Sequence, residues 1–559
     1  MEENDQNIKV EEYIRKERTT QRGTKKPLED GSTKWAIVLM PILLVVVAIL
    51  FYNIGASKFK SAEILDREQK LSNLHEVIQL IDERYVDSVN VDDLYESSIN
   101  GMLKKLDPHS AFIPRKDVLA SNEQLQGHFG GVGIRFIILR DTLMITNVIE
   151  GGPSFYAGIR SGDRVVKVDG ITIAGVDLAI KDVHEKLKGE FGTNVLLTVM
   201  RMGSAAEFEI PITRGNIPLP SVDASYKIAE DVGIIKLSKF SGYTDQEFDE
   251  AIVALQKQGV TKLILDLRSN GGGYMHTAVG VADQFLAKNE LIVYTQGTHQ
   301  PKRETFATSM GRCEKMKVAV LINSQSASAS EILSGALQDN DRAIVVGRRS
   351  FGKGLVQQPI KLTDSSELRL TISRYYTPSG RSIQKPYGNG IDYENDFMDR
   401  YENGELQEID SSIFENAEKF KTKNGRTVYG GGGIMPDIFV PIDTTGSSFY
   451  LTSLNYSSAY RDFCFDYLDR HRNQMVFKNE QDFARNFEIS EELLNEFLEY
   501  ASVNQSITRV ESDLEHSKNR IQNYLKSEFA SYLFDFGARF LVNIPLDSEV
   551  QVALKELAD

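Results

Sequence analysis

The stretch Val318-Ala-Val-Leu-Ile-Asn-Ser-Gln-Ser-Ala-Ser-Ala-Ser-Glu-Ile332 changes texture twice. Its apolar start predicts a strand that ends at Asn323. Beyond the small residues, Ile332, Leu333, Ala336 and Leu337 fall on one face of a helix that begins near Ala329. The serines of Ser324–Ile332 therefore sit at a strand-to-helix turn rather than in a linker. Helix N-terminal N–H groups lack intrahelical partners and can stabilise an oxyanion. Small residues there let a substrate backbone come close. A serine at such a place can equally be a simple N-cap, so the turn by itself leaves open which serine, if any, does chemistry.

The same alternation runs outward from this point. VGIIKL, KLILDL, VAVLI and AIVVG are apolar strands separated by helical patterns, and they predict an α/β unit over residues 215–445. A polar, acidic insertion interrupts it from Asp392 to Asn424. Upstream, residues 119–214 hold short strands and Gly-rich turns, as expected of a small β-rich domain. Residues 61–118 read as mainly helical, with Leu71, Leu74, Val77, Ile78 and Ile81 at helical spacing. Residues 446–559 read as a helical extension, with Leu493, Leu494, Phe497 and Leu498 in period. The fold class expected is multidomain α/β.

Residues 1–34 are polar and read as a disordered tail. Trp35–Tyr52 carries no charge and would span about 27 Å as a helix, close to a bilayer core. Residues 35–54 are thus expected to be a transmembrane signal anchor, in which Pro41 is tolerable. Seven Lys and Arg lie in residues 15–34 and four in residues 53–72. That bias places the N-terminus in the cytoplasm and the bulk of the chain on the periplasmic, extracytoplasmic side of the inner membrane.

The chain has 559 residues, 41% of them apolar, and a net charge of −15. The acidic balance, with no basic patch interleaved with aromatics, argues against nucleic-acid binding. Cys313 and Cys464 stand in no metal or redox spacing and read as unpaired.

Gly130-Gly-Val-Gly-Ile134 precedes a strand, and consecutive glycines let N–H groups converge on an anion. Gly152-Pro-Ser-Phe-Tyr-Ala-Gly-Ile159 and Gly162-Asp163…Val168-Asp-Gly170 follow. Together these resemble a PDZ domain of the bacterial protease-associated type. The resemblance implies a carboxylate loop at Gly130, Gly131, Val132, Gly133 and Ile134, and a polypeptide with an apolar C-terminal tail as partner.

A serine nucleophile needs a base. None of the eight histidines ties to the turn by sequence; His276 is the nearest of interest. Lys353, between Gly352 and Gly354, is the other option, with Gln357 four residues on. A buried lysine with a depressed pKa can act as general base. A Gly-Lys-Gly can also be an exposed turn. It is not a phosphate loop, since Gly-x4-Gly-Lys-Ser/Thr is absent.

Several blocks then converge: LDPHSAF (106–112), LILDLRSNGGG (263–273), SASASEI (326–332), GALQDNDRAIVVG (335–347), FGKGLVQ (351–357), YYTPSGRSIQ (375–384) and GGGIMPDI (431–438). In this order they resemble the carboxy-terminal processing peptidases, or tail-specific proteases, over about residues 65–445. The resemblance implies a PDZ-like domain set before a crotonase/ClpP-like serine protease core, no metal or cofactor, and a Ser/Lys dyad. Carried over, the nucleophile is Ser328, the base Lys353, and Gln357 steadies the lysine. The oxyanion donors are the N–H of Ala329 and one from Gly272 or Gly273. Ser326 and Ser330 become supporting residues, and Ser330 and Glu331 are expected to cap the helix. Two departures stand out. Gly271 replaces a common proline, which frees that loop. Gln325 replaces a common glycine, which would be strained at a positive φ. The rival reading is a silent, membrane-anchored PDZ scaffold that binds tails without cleaving them. The helical extension is expected to serve a homo-oligomer, an adaptor or substrate caging.

Overall fold

The computed structural model describes residues 64–558 apart from 202–203, 205, 310, 389, 409–416 and 472–473, together with Met40 and Val45. The expected tail 1–34 and, but for those two residues, the expected span 35–54 lie outside the described residues. Among the described residues no helix is long and apolar enough to cross a membrane. The chain divides into two compact units, 1–97 and 98–559. In the first, residues 64–84 are one helix, in keeping with the helical spacing of Leu71 to Ile81.

The second unit is built on a six-stranded sheet. Its order is Val222–Lys227, Val232–Leu237, Lys262–Asp266, Lys317–Ile322, Ile344–Gly347 and Ile438–Phe439, parallel except for the first pair. Side chains alternate across it. Leu263, Leu265, Val318, Val320 and Ile322 pack with the helices Thr244–Lys257, Met275–Asp283 and Ala329–Asp339. Ile264, Ala319, Leu321 and Val346 pack on the opposite face against Ile544, Val550, Ala553 and Leu557. Both faces are therefore covered, which is why these strands are apolar without alternation. The second cover comes from the last helices of the chain. The helical extension is thus divided: Phe449–Leu533 surrounds its own core of Leu454, Phe463, Phe497 and Phe529, while Ser548–Ala558 completes the core sheet.

A second sheet lies beside the first, with Glu367–Tyr376 at its centre, flanked by Ala111–Ile113, Leu291–Gly297 and Leu355–Lys361. The β-rich domain is a sheet in the order Ile134–Leu139, Thr142–Val148, Arg164–Val168, Asn194–Met200 and Glu207–Thr213. The ladder of His128–Gly131 with Gly215–Pro218 forms its neck. The polar insertion is partly structured, with a helix at Asp396–Glu402 and a hairpin of Lys419–Lys421 with Thr427–Tyr429.

Candidate active site

The turn predicted between Ile322 and Ala329 is present, and Ser328 stands at the N-terminus of the helix Ala329–Asp339. Its φ of 56° is left-handed, a strained region for a residue with a Cβ. Gln325 is not in that region. The strain foreseen at 325 therefore falls three residues later, on Ser328. Among the described residues, Ser328 Oγ makes no hydrogen bond. The flanking serines are occupied. Ser326 Oγ donates to Leu267 O at 2.8 Å and Ser330 Oγ to Asn270 O at 2.8 Å. Ser330 thus ties the turn to the glycine loop and does not cap the helix, because its hydroxyl points to another strand end.

Glu331 does cap, and does more. Its Oε2 accepts from the N–H of Ser328 at 2.8 Å and of Lys353 at 2.9 Å. Its Oε1 accepts from the N–H of Gly352 at 2.7 Å and from Ser350 Oγ at 2.5 Å. One buried carboxylate therefore joins the serine turn to the lysine loop. Burial pushes it up to about 7, against the pull of those four donors. Tyr375 supports the same junction, its hydroxyl shared between Ser328 O at 3.0 Å and Lys353 O at 2.6 Å.

Lys353 is half-buried, and burial holds its amine below the ordinary lysine value, with the charges of Glu331 and Asp107 opposing. Its Nζ donates to Gln357 Oε1 at 3.2 Å. Gln357 Nε2 in turn donates to the His109 carbonyl, which fixes the amide with its oxygen toward the lysine. No hydrogen bond joins Lys353 Nζ to Ser328 Oγ among the described residues. A serine–base contact that tightens only with substrate is ordinary in unliganded sites.

His109 was not singled out from the sequence. Asp107 builds the turn that presents it, accepting from the N–H groups of His109 and Ser110 at 2.8 Å each. Its ring meets the Tyr393 hydroxyl at 2.8 Å. Burial and the nearby Lys353 charge push its imidazole down to about 4, so it is neutral near pH 7. The Asp-Pro-His-Ser run was the available signal, as a turn, but its contact is made by a carbonyl that any residue could offer. His276 is exposed, its ring tilted against that of Tyr274 at 5.1 Å between centroids.

The glycine loop lies against the turn. A Cβ on Gly272, whose φ is +100°, would stand 2.8 Å from both Ala327 O and Ser328 Cβ. Its N–H is already used, donating to Asn270 Oδ1 at 2.9 Å. Among the described residues, the N–H groups of Ala329 and Gly273 make no hydrogen bond. The geometry thus separates the two glycines that sequence left together.

In the β-rich domain, a cavity of about 320 Å³ is lined by Val132, Gly133, Ile134, Phe136, His184 and Leu187. It runs between the strand Ile134–Leu139, which is the edge of its sheet, and the helix Ile180–Leu187. Gly130 and Gly131 belong to the neck ladder, opposite Asn216 and Gly215. A Cβ on Gly130 would meet Gly189 O at 2.1 Å, so close backbone approach requires glycine there. Val132 and Gly133 both line the groove, and their N–H groups make no hydrogen bond among the described residues.

Residues 231–395 match Peptidase family S41, and residues 130–212 match the PDZ domain. A "Probable CtpA-like serine protease" of Staphylococcus saprophyticus is 34% identical over 378 residues, which is 67% of this chain and 75% of the relative. The chain belongs to peptidase family S41. This serine-type peptidase is also 37% identical over 321 residues to a "Carboxy-terminal-processing protease" of Bartonella bacilliformis, covering 56% of this chain and 73% of that one. Residues 53–116 of the peptidase match the N-terminal domain of the activating protease CtpB, and residues 450–535 a family of unknown function. Among solved structures, a photosystem II D1 C-terminal processing protease aligns over 55% of this chain and 89% of its own, at 26% identity and a TM-score of 0.30.

Proposed function

We propose that the peptidase hydrolyses polypeptides by a Ser328/Lys353 dyad, after its PDZ domain has captured an apolar C-terminal tail. One observation carries the reading. Among the described residues the Ser328 hydroxyl and the N–H groups of Ala329 and of Gly273, on the glycine loop that packs against the serine turn, make no hydrogen bond, and a half-buried lysine is held on the neighbouring loop by the shared carboxylate of Glu331.

The chemistry follows. Neutral Lys353 takes the Ser328 proton as the oxygen attacks the peptide carbonyl. The resulting oxyanion is met by the N–H groups of Ala329 and Gly273. Lys353 then gives its proton to the leaving amine, which departs and leaves an acyl-serine. Water then loses a proton to the neutral Lys353 amine and attacks the ester, and Lys353 returns that proton to Ser328 Oγ as the acid product leaves. Gln357 keeps one amine N–H engaged, so that the lone pair is free to turn toward the serine. The tail adds as a strand to the open edge of Ile134–Leu139, with its carboxylate at the Val132 and Gly133 N–H groups. Residues 35–54 anchor the chain in the inner membrane with this machinery on the extracytoplasmic side, on the strength of the charge bias around them.

The test is cleavage of an internally quenched peptide ending in apolar residues by the full chain in detergent. Ser328→Ala and Lys353→Ala are expected to abolish turnover while tail binding persists. Wild-type turnover by either variant would sink the dyad.

A further inference from the structure

The loop Ser350–Gly354 carries the base, yet two of its five residues are glycines, and Gly352 has a φ of +89°. Such a segment has the most conformational freedom to lose. Its backbone groups are nonetheless fully accounted for. Ser350 N donates to Ile434 O and Phe351 N to Ser326 O, each at 3.0 Å. Gly352 N and Lys353 N go to Glu331, and Gly354 N to Gln384 Oε1 at 2.8 Å. The carbonyls of Gly352 and Gly354 accept from Lys385 N and Tyr375 N at 2.9 Å each, and that of Lys353 from Tyr375.

The remaining carbonyls depend on one side chain from the polar insertion. Arg400 donates to Ser350 O at 2.9 Å, to Phe351 O at 3.3 Å and to Arg349 O at 3.3 Å. Its side chain is only 2% exposed. Other contacts draw the same segment onto the loop. Glu405 grips Arg349 with two bonds of 2.6 Å. Asp396 lies 2.9 Å from Arg400 Nε and 3.1 Å from Lys385 Nζ. That lysine sits 3.9 Å from the Phe351 ring centre and 4.0 Å from that of Tyr393. The Tyr393 hydroxyl then bonds the His109 ring at 2.8 Å and accepts from Gln384 Nε2 at 3.3 Å. The S41 match ends at residue 395, so Arg400 and Glu405 lie beyond it.

We infer that residues 392–405 form a strap that fixes the lysine loop, with Arg400 as a positioning residue for Lys353. The inference rests on the dyad reading above. Arg400 touches no reacting atom. It holds three successive carbonyls just before Gly352, and so sets where the next residues deliver the amine. A base displaced by about 1 Å loses rate on the order of 100-fold. Lys353 faces Glu331, Asp107, His109 and Arg369, and a looser loop admits water among them. The amine then moves back toward its ordinary value.

Arg400→Lys keeps a cation for Asp396 but cannot span three carbonyls. In the full chain, with the quenched peptide as probe, it is expected to lower kcat about ten-fold or more. KM should stay unchanged, and the acid limb of the kcat–pH profile should move to higher pH. A folded Arg400→Lys with wild-type kcat and limb would overturn the proposal, as would a variant that is less stable but keeps the wild-type limb. Should Arg400→Lys not fold, Tyr393→Phe decides. It keeps the ring on Lys385 and removes only the hydroxyl. A two- to five-fold fall in kcat with the same shift of the limb supports the strap, and wild-type values overturn it. Lys353→Ala runs alongside. Turnover by that variant removes the dyad and the strap together, whereas its inactivity beside a wild-type Arg400→Lys removes the strap alone.

Discussion

Glu331→Gln replaces the carboxylate shared by the serine turn and the lysine loop with an isosteric amide. Whichever way the amide turns, its NH₂ faces either Ser328 N and Lys353 N or Gly352 N and Ser350 Oγ. The second orientation costs less, because the Ser350 hydroxyl can turn to accept. Gly352 N–H is then left without an acceptor, at about 1–3 kcal/mol. Set against this is the carboxylate's own burial. A carboxyl carried from 4.5 to about 7 corresponds to about 3 kcal/mol, at about 1.4 kcal/mol per pH unit. Between those two pH values the native state holds a proton that the unfolded chain has released. Stability of the parent therefore falls as pH rises through the window, and the glutamine variant lacks that slope. The stability gap is expected to move by about 3 kcal/mol in favour of the variant between pH 4.5 and pH 7. Hydrogen exchange of the helix Ala329–Asp339, compared at matched pH, reads this gap locally. Turnover is expected to fall by about 10- to 100-fold, since both loops lose a shared anchor. A gap that is constant with pH, or that grows in favour of the parent, would refute the reasoning.

Lys353→Arg keeps a cation but cannot become neutral, so turnover should drop to background with the fold intact; in the parent, kcat should fall as pH drops through the depressed lysine value, and a profile flat on the acid side would count against a lysine base. Gly272→Ala puts a Cβ 2.8 Å from Ser328 Cβ at a φ of +100°; strain of about 1–3 kcal/mol should push the serine turn aside, and a folded, fully active variant would contradict that geometry. Gly271→Pro is expected to be tolerated, because Gly271 has no positive φ, no hydrogen bond from its N–H among the described residues and nothing within 4 Å of a built Cβ. It should stabilise by about 0.4–1 kcal/mol through the unfolded state, and a drop in melting temperature would show the loop needs glycine.

What the sequence disclosed was what short spans of chain encode. Strand, turn and helix around Ser328 lie within fifteen residues, so periodicity and small-residue content suffice. The functions that stayed hidden depend on distant partners. Glu331 reads as a helix cap, and nothing local tells that it also binds a loop 19–22 residues on. The choice between Gly272 and Gly273 turns on the Asn270 side chain, which takes one N–H and leaves the other. His109 enters through its carbonyl, which has no sequence signature. Arg400 sits in a run whose composition predicts a solvated surface, since a lone arginine is seldom fully buried. Its burial follows from three carbonyls that no strand claims.

The docking of the PDZ domain is decided by the two faces of one strand. Along Ile134–Leu139, Ile134 and Phe136 look into the groove, while Ile137 and Leu139 pack with Met144, Phe465 and Tyr532. Phe465 and Tyr532 belong to the helical unit whose family has no known function. Two ion pairs flank this contact. Arg140 reaches Asp466 at 2.5 Å, but the arginine is 71% exposed, so the pair contributes at most about 1 kcal/mol. Arg164 with Asp469, at 2.7 Å, is better shielded. Leu139, Met144 and Phe465 are all buried, and each contributes about 1.5–3 kcal/mol through area removed from water. Apolar burial therefore outweighs charge in this contact, and salt alone does not undo it. The strand whose edge is proposed to take a tail is thus backed by packed side chains. On that proposal a tail meets a groove whose rear wall is already packed, so less ordering entropy is lost on binding.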